Sequence, residues 1–306
     1  MQRYIIRRLI QAIIMLFLVS VIIFFLGRLT GDPVALLLTE YSTEEDKITL
    51  TRQLGLDKPL PEQYAIFLSN ALKGDLGRSI RGERAPALKL VLERLPASLQ
   101  LAVIAVLVSL LVGLPLGVAA AMNKGSFLDA ILRIVALVGQ SAPVFWIGIV
   151  AMYVFSVQLR LLPSSGYGKP EQFVLPVFAI SWFTLAAIVR LTRSSMLEAL
   201  DSEYVKLARI KGLSEVIVVW KHALRNSLLP VLTYAGIILG RTIAGVVVVE
   251  TVFAWPGIGR LAYEAVMTRD FPVLQAVVLF MATVFLFINL TVDILYAYID
   301  PRIRYA

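Results

Sequence analysis

Cysteine is absent from the 306 residues, and histidine occurs once, as His222. Without thiols the chain can form no disulfide, no thiolate metal site and no cysteine nucleophile, although this absence does not identify the compartment. A lone histidine with no H-E-x-x-H pattern speaks against a Ser-His or metal-centred intramembrane enzyme, and His222 is better read as an interfacial residue beside Lys221 and Arg225. No G-x-x-x-x-G-K-[ST] run occurs either, so no loop of that type cradles nucleotide phosphates. Charge is scarce: 16% of residues are charged against 58% hydrophobic, and the mean hydropathy is +0.81. That balance excludes a water-soluble domain of this length and puts the chain in a bilayer.

What fills the sequence instead is a set of six apolar runs, at 9–27, 95–123, 134–159, 172–189, 226–249 (interrupted by Arg241) and 271–292. A spanning helix needs roughly 20 apolar residues, so the expectation is an all-α membrane protein with six transmembrane helices. The first run follows Arg3, Arg7 and Arg8 as a secretory leader would, but it exceeds a leader's apolar core of roughly 7 to 15 residues and lacks a small-residue cleavage site, which reads as a retained helix. Six crossings put both termini on one side. In the short loops, Arg3, Arg7, Arg8, Lys124, Arg133, the basic residues of 190–225, Arg302 and Arg304 fall on that side, against Arg160, Lys169, Arg260 and Arg269 on the other. The positive-inside rule therefore makes both termini cytosolic; the segment 31–98 is too long for its charges to count. The net charge of +8 then reflects orientation and contact with anionic lipid rather than nucleic acid.

Between the first two runs, turn signals at Gly31-Asp32-Pro33, Gly55-Leu56-Asp57, Lys58-Pro59 and Gly74-Asp75-Leu76-Gly77 alternate with amphipathic stretches. Leu54, Leu56, Leu60, Tyr64, Phe67 and Leu68 give this segment apolar faces that a pure linker would lack, so it reads as a small ordered outer region. The second span is expected to begin after Arg94-Leu95-Pro96 and contains Gly113, Pro115 and Gly117; the third holds Gly139, Ser141, Ala142, Pro143 and Gly148. Such residues allow close packing. Pro143 should kink the third span and free a carbonyl near Gly139, available either to a pathway or merely to a packing bend. Trp255, in the outer hairpin after Glu250, is read either as an anchor at the membrane interface or as a residue lining the outer mouth.

A polar island at 190–225 separates the fourth and fifth runs and carries seven of the 29 basic residues. Ser202 is placed to cap a helix with Glu203 in its first turn, the helix continues through 206–211, and Gly212 suits the left-handed residue that ends it. Ser214 can cap a second helix, with Glu215 favourable against its dipole. The first helix, about 15 Å long, would be marginal alone in water and needs something to pack against.

Two charges lie inside the spans. Arg241 sits roughly 20 Å along the helix from Leu228, where a charge must face the bundle or a cavity. It either lines the pathway and favours an anionic solute, or forms a salt bridge to Glu250 or to a partner subunit. Asp293 is read as paired near the cytosolic exit, about 10 Å before Asp300, rather than as part of a proton relay.

In order along the chain, several motifs resemble the inner-membrane permease subunits of ABC importers in the dipeptide, oligopeptide, nickel and glutathione group. The similarity runs from the basic start at 3–9 through Gly31-Asp32-Pro33, Gln53-Leu54-Gly55-Leu56-Asp57, Gly74-Asp75-Leu76-Gly77 and Arg94-Leu95-Pro96-Ala97. It continues with Leu191-Thr192-Arg193-Ser194-Ser195-Met196, the stretch 208–214, His222-Ala223-Leu224-Arg225-Asn226, the stretch 248–257 and Asp300-Pro301-Arg302, and so covers nearly the whole chain. The resemblance implies a type I ABC importer transmembrane domain with an ordered extracytoplasmic segment after the first helix: residues 1–98 for that helix and segment, and 99–306 for a five-helix permease core carrying a cytosolic coupling loop at 200–225. It also implies a multi-pass protein of the bacterial inner membrane, working with a second similar permease subunit, two ATPase subunits and an extracytoplasmic solute-binding protein. No catalytic residue, metal or cofactor is expected in this chain; ATP and Mg would be bound by the ATPases. In such subunits the helix-glycine-helix segment couples ATPase motion to the pathway, which points to Tyr204, Ala208, Arg209, Lys211, Gly212, Leu213 and Ser214. Ser141, Pro143, Arg241 and Glu250 are the candidates for the pathway.

The wider importer signature has Glu-Ala-Ala before the glycine. Here Lys206, Leu207 and Ala208 stand there and the following Leu-Pro is displaced to Leu229-Pro230, so the acidic residue's contact does not carry over. A self-sufficient secondary transporter, with Arg241 and Asp293 as coupling charges, is the rival reading; the absence of an evident internal repeat counts against it. Small peptides are the expected solute, with nickel chelates, glutathione, opines or sugars as alternatives; a bare metal ion is disfavoured by the missing Cys and clustered His.

Overall fold

The computed structural model describes residues 2–29, 34, 43–53, 55–81 and 84–299, and among these the regular structure is helical apart from one antiparallel bridge between Arg78 and Pro86. Gly31, Asp32, Pro33, Leu54, Asp300, Arg302 and Arg304 lie outside the described residues, as does the side chain of Asp293. The helices are α1 (Gln2–Leu29), α2 (Glu44–Gln53), α3 (Leu60–Leu72), α4 (Ala87–Met122), α5 (Phe127–Ser141), α6 (Val144–Met152, widening into a π turn at Tyr153–Gln158), α7 (Pro170–Leu200) and α8 (Glu203–Ile210). A short turn (Glu215–Ile217) and a π segment (Val218–Ala223) then lead into α9 (Leu224–Gly245), followed by α10 (Val247–Val252), α11 (Ile258–Met267) and α12 (Phe271–Ile299). Five stretches have the length and apolarity to cross a membrane: Ile5–Arg28, Ala87–Met122, Pro170–Leu200, Glu215–Ile243 and Phe271–Thr291. The pair Phe127–Ser141 and Val144–Gln158 makes a sixth if its halves count as one crossing.

Prolines act differently from the expectation at two places. The third run does not kink but breaks, with α5 and α6 meeting at 102°. Pro143 disfavours helical backbone at the residue before it, so Ala142 is extended (φ −83°, ψ 133°) and Pro143 serves as the N-cap of α6. Conversely, the second span does not wait for Pro96: α4 begins at Ala87 and runs through both Pro96 and Pro115. Long apolar helices tolerate prolines where neighbours or local adjustments satisfy the freed carbonyl. The fourth span also overruns its apolar stretch, since α7 carries Arg190 and Arg193 and ends only at Leu200, which removes 190–200 from the island.

The chain divides into two compact units, one of 1–97 with 256–290 and one of 98–255 with 291–306. In the first, α3 presents Tyr64 and Phe67 to Phe24 of α1, with ring centroids 5.4 and 5.5 Å away, and the Tyr64 hydroxyl meets Ser20 at 2.8 Å. Ala87 and Val91 pack with Ile258, Leu261 and Ala265 of α11 and with Val273, Ala276 and Val277 of α12. Asp270, at the corner between those two helices, is buried and accepts a hydrogen bond from the Ser79 hydroxyl. Among the described residues of the segment after α1, Tyr64 and Phe67 thus place their apolar side chains against α1.

In the second unit α4 and α7 lie close enough for their backbones to constrain each other. Ser109 and Ser181 both donate to the Ala105 carbonyl, at 2.8 and 3.0 Å. Glycines make room: a Cβ on Gly113 would stand 2.8 Å from Ile188 Cγ2, and one on Gly117 would stand 2.5 Å from Thr192 Cβ and 2.9 Å from the Val189 carbonyl oxygen. Gly117→Ala would gain about 1 kcal/mol of helix propensity but lose roughly 1–3 kcal/mol to overpacking against atoms that cannot swing away. The expected outcome is a lower melting temperature in detergent for Gly117→Ala, measured by intrinsic fluorescence.

Candidate functional site

The island folds around α8. Ser202 occupies the N-cap position with extended backbone, but its hydroxyl turns back to donate to the Ala199 carbonyl instead of accepting from the first turn. At the other end Gly212 adopts φ +78°. Its N–H donates to the Arg209 carbonyl at 2.9 Å, and the Leu213 N–H reaches the Ala208 carbonyl at 3.3 Å, the paired bonds of a Schellman ending. Ser214 then occupies the N-cap position of the next turn without a side-chain cap hydrogen bond, and Glu215 is the first residue of that turn. This turn is no separate second helix, because it runs through the π segment straight into α9.

One face of α8 is seated and the other is bare. Val205 and Ala208 are buried against Val118 and Ala121 of α4, Met196 and Ala199 of α7, and Val218, Val219 and Ala223 of the segment leading to α9. On the outer face Tyr204, Leu207 and Ile210, at intervals of three, are 42%, 51% and 82% exposed, and Leu213, Val216 and Trp220 extend the apolar surface. Lys206 pairs with Glu203 at 2.9 Å, and Arg209 forks onto Glu215 at 2.7 and 3.3 Å, bridging the turn at Gly212. These hydrogen bonds hold the Lys206 ammonium and the Arg209 guanidinium above their ordinary values, so both remain charged. Of the residues singled out in the sequence, Tyr204, Arg209, Lys211, Gly212, Leu213 and Ser214 come together at this surface, whereas Ala208 belongs to the packing beneath it. Leu207, Ile210, Val216 and Trp220 were missed. The three-residue spacing of Tyr204, Leu207 and Ile210, opposite Val205 and Ala208, was the available signal.

A second feature went unread. Asp129, in the first turn of α5, is 1% exposed and accepts a fork from Arg193 of α7, Nε at 2.6 Å and Nη2 at 2.9 Å. The Gly125 N–H adds a bond at 3.0 Å, Arg133 Nε stands 3.6 Å away, and the Asp129 N–H is capped by Ser126. The Ser126-x-x-Asp129 spacing is a helix-start signature, but the partner lies 64 residues on and no local pattern announces it.

The pathway candidates do not converge. Arg241 lines a cavity of about 370 Å³ whose walls are otherwise mostly apolar, among them Phe145, Ile180, Phe183 and Ile238. Ser141, Pro143 and Glu250 are not among its lining residues. The Ser141 hydroxyl bonds its own helix at Leu137, and Pro143 caps α6. Of the alternatives for Arg241, a salt bridge to Glu250 is not formed: Glu250 is buried and accepts from Ser98 at 2.6 Å, and Arg241 has no ion pair among the described residues. Trp255 is neither an interface anchor nor a mouth residue. It is fully buried, edge-on to Tyr167 and Phe173 at 4.9 and 4.6 Å, because the Glu250 carbonyl captures its N–H at 2.7 Å and turns the chain inward. No cluster of three or more metal-ligand side chains occurs among the described residues.

Asp129→Ala is expected to destabilise the protein by about 3–5 kcal/mol, since it strands a guanidinium in a largely buried position. Asp129→Ala combined with Arg193→Ala should cost less than the two single changes added together, which a double-mutant cycle of thermal unfolding would measure.

Two family descriptions cover the chain: binding-protein-dependent transport system inner membrane component over residues 113–305, and the N-terminal membrane component of the same systems over 1–102. The chain is 40% identical to the probable peptide ABC transporter permease protein y4tP of Sinorhizobium fredii, over 99% of both chains. It is 35% identical to the dipeptide transport system permease protein DppB of Alkalihalophilus pseudofirmus and 40% identical to the glutathione transport system permease protein GsiC of an Escherichia coli strain, each over the full length of both. Among solved structures, its fold is similar to the methionine ABC transporter MetNI in inward-facing conformations (TM-score 0.52, 17% identity, 69% of this chain and 96% of that one). It is also similar to an amino acid ABC transporter with histidines (TM-score 0.54, 18% identity, 77% and 98%).

Proposed function

The chain belongs to the family of binding-protein-dependent transport system inner membrane components, as an ABC importer permease of the peptide type, and from that membership we propose that it forms half of the pathway by which small peptides are taken up, driven by ATP hydrolysis in partner subunits. The other half comes from a second, similar permease, solute arrives on an extracytoplasmic binding protein, and two ATPases bind ATP and Mg on the cytosolic side. Both termini lie in the cytosol of a cell whose inner membrane holds the complex.

The observation that carries this reading is the two-faced α8. A helix of eight residues is too short to hold itself in water, and burial of Val205 and Ala208 fixes it to the ends of α4 and α7. An outer face bearing Tyr204, Leu207 and Ile210 is an apolar patch of the kind that marks a protein contact. Tyr204, Arg209, Lys211, Leu213 and Ser214 are the residues proposed to meet an ATPase, with Ala208 and Gly212 setting the height and end of the helix beneath them. Push or pull on the outer face passes to α4, α7 and α9 through the side chains that seat the inner one. Ile210→Glu, a solvent-tolerant change in the monomer, should abolish copurification of ATPase subunits with the tagged permease while leaving membrane insertion unchanged. Undiminished ATPase recovery with Ile210→Glu would defeat the docking role.

Arg241 supports a preference for solutes carrying a carboxylate. A guanidinium with no ion pair among the described residues, facing a mostly apolar cavity, is costly unless water or an anion meets it, and a peptide terminus supplies an anion. Ser141, Pro143 and Glu250 would then act indirectly, by breaking the third span and by holding the chain around Trp255. Uptake assays on Arg241→Ala should show a loss of roughly tenfold for peptides with a free C-terminal carboxylate, the worth of a single charge-assisted hydrogen bond, and little change for C-terminal amides. Equal losses for both would reduce Arg241 to a structural residue.

A further inference from the structure

A second cavity, of about 340 Å³, lies among α4, α5 and α7 and is lined by three arginines, Arg133, Arg190 and Arg193. We propose that this cavity is a binding site for an anionic phospholipid, with the phosphate held by Arg133 and Arg190 and the acyl region against α5.

Charge supplies the first argument. Among the described residues Asp129 is the one carboxylate paired with this trio, and it commits both oxygens to Arg193, with Oδ2 also taking the Gly125 N–H. Arg133 Nε donates to the Asp129 backbone carbonyl at 3.4 Å and stands 3.6 Å from the carboxylate, leaving the rest of its guanidinium to other acceptors, and Arg190 has no hydrogen bond or ion pair among the described residues. Two guanidinium groups are thus left without full neutralisation beside an apolar cavity, which calls for a diffuse anion. Guanidinium forks suit phosphate oxygens.

Position supplies the second. Arg190 lies twenty residues after Pro170, the first residue of α7, hence about 30 Å along it, which matches the hydrocarbon thickness of a bilayer. The arginines therefore stand at headgroup depth, on the end of α7 that leads into the basic island. Basic pockets between helices at that level are suited to anionic headgroups.

The rest of the lining fits the remainder of a lipid better than a free anion. Leu132, Ala136 and Val189 make the wall apolar, and the outer side of α5 continues it with exposed Ile131, Ile134 and Val138. Among them the Gln140 amide nitrogen is buried without a hydrogen-bond partner among the described residues. A buried donor left unmet is destabilising, and a glycerol ester carbonyl is an acceptor that an acyl-bearing ligand brings with it.

The full chain, purified in mild detergent with any subunits it carries, should retain phosphatidylglycerol detectable by native mass spectrometry. In phosphatidylcholine vesicles its melting temperature should rise when phosphatidylglycerol is added. Combined Arg133→Gln and Arg190→Gln, which spare the Asp129–Arg193 fork, should lower retention by roughly fivefold for each arginine removed, whereas Arg225→Gln, outside the cavity, should not. If the double variant cannot be purified, Arg190→Gln alone is read in the same assay. Unchanged retention in the cavity variants, an equal loss with Arg225→Gln, or an equal rise in melting temperature from sodium phosphate in pure phosphatidylcholine vesicles would each overturn the proposal, the last by assigning the site to a free anion.

Discussion

The seating of α8 on the second unit through Val205 and Ala208 is the contact from which the arrangement of the island follows. Both side chains are buried in one apolar cluster with Val118 and Ala121 of α4, Met196 and Ala199 of α7, and Val218, Val219 and Ala223 ahead of α9. Three membrane-spanning helices thereby meet a single short helix at their ends. Because packed side chains resist compression, α8 is held firmly against the ends of these spans. The Schellman ending at Gly212 and the Arg209–Glu215 fork keep the helix from lengthening or fraying at that point. The docking role proposed for α8 rests on a rigid seat of this kind.

Close approach of α4 and α7 complements that seat. Glycines at 113 and 117 bring the two backbones near Ile188 and Thr192, and serines at 109 and 181 share the Ala105 carbonyl. Without a hydrophobic driving force between helices in lipid, such packing and hydrogen bonding are what hold spans together. At the island end of α7, the Asp129–Arg193 fork adds a charged clasp to α5. Arginine serves there better than lysine would, because the planar fork engages both carboxylate oxygens at once.

Much of this was legible in residue order. Apolar length announced the spans, Gly212 announced the end of α8, and the motifs from the basic start to the 248–257 stretch announced the family. The misreadings share a cause. Proline was treated as a local signal, yet Pro96 and Pro115 are carried inside α4 while Pro143 ends α5 outright. The outcome depends on whether neighbours satisfy the backbone around each ring. Trp255 was judged by its chemistry at an interface, but a backbone hydrogen bond to Glu250 and two aromatic neighbours bury it. Opposite sign makes Glu250 one available partner for Arg241, but Ser98 donates to that carboxylate instead.

The linear chain by itself determined that the protein is helical and membrane-embedded, that a polar island follows the fourth apolar run and that Gly212 ends α8, because apolar run length and helix-stop signals act over a few neighbouring residues. Tertiary structure alone decided which charges meet, which face of α8 is covered and which proline breaks its helix. Those outcomes rest on partners such as Arg193 for Asp129, separated by 64 residues, and a contact between distant positions leaves no periodic trace in the sequence that makes it.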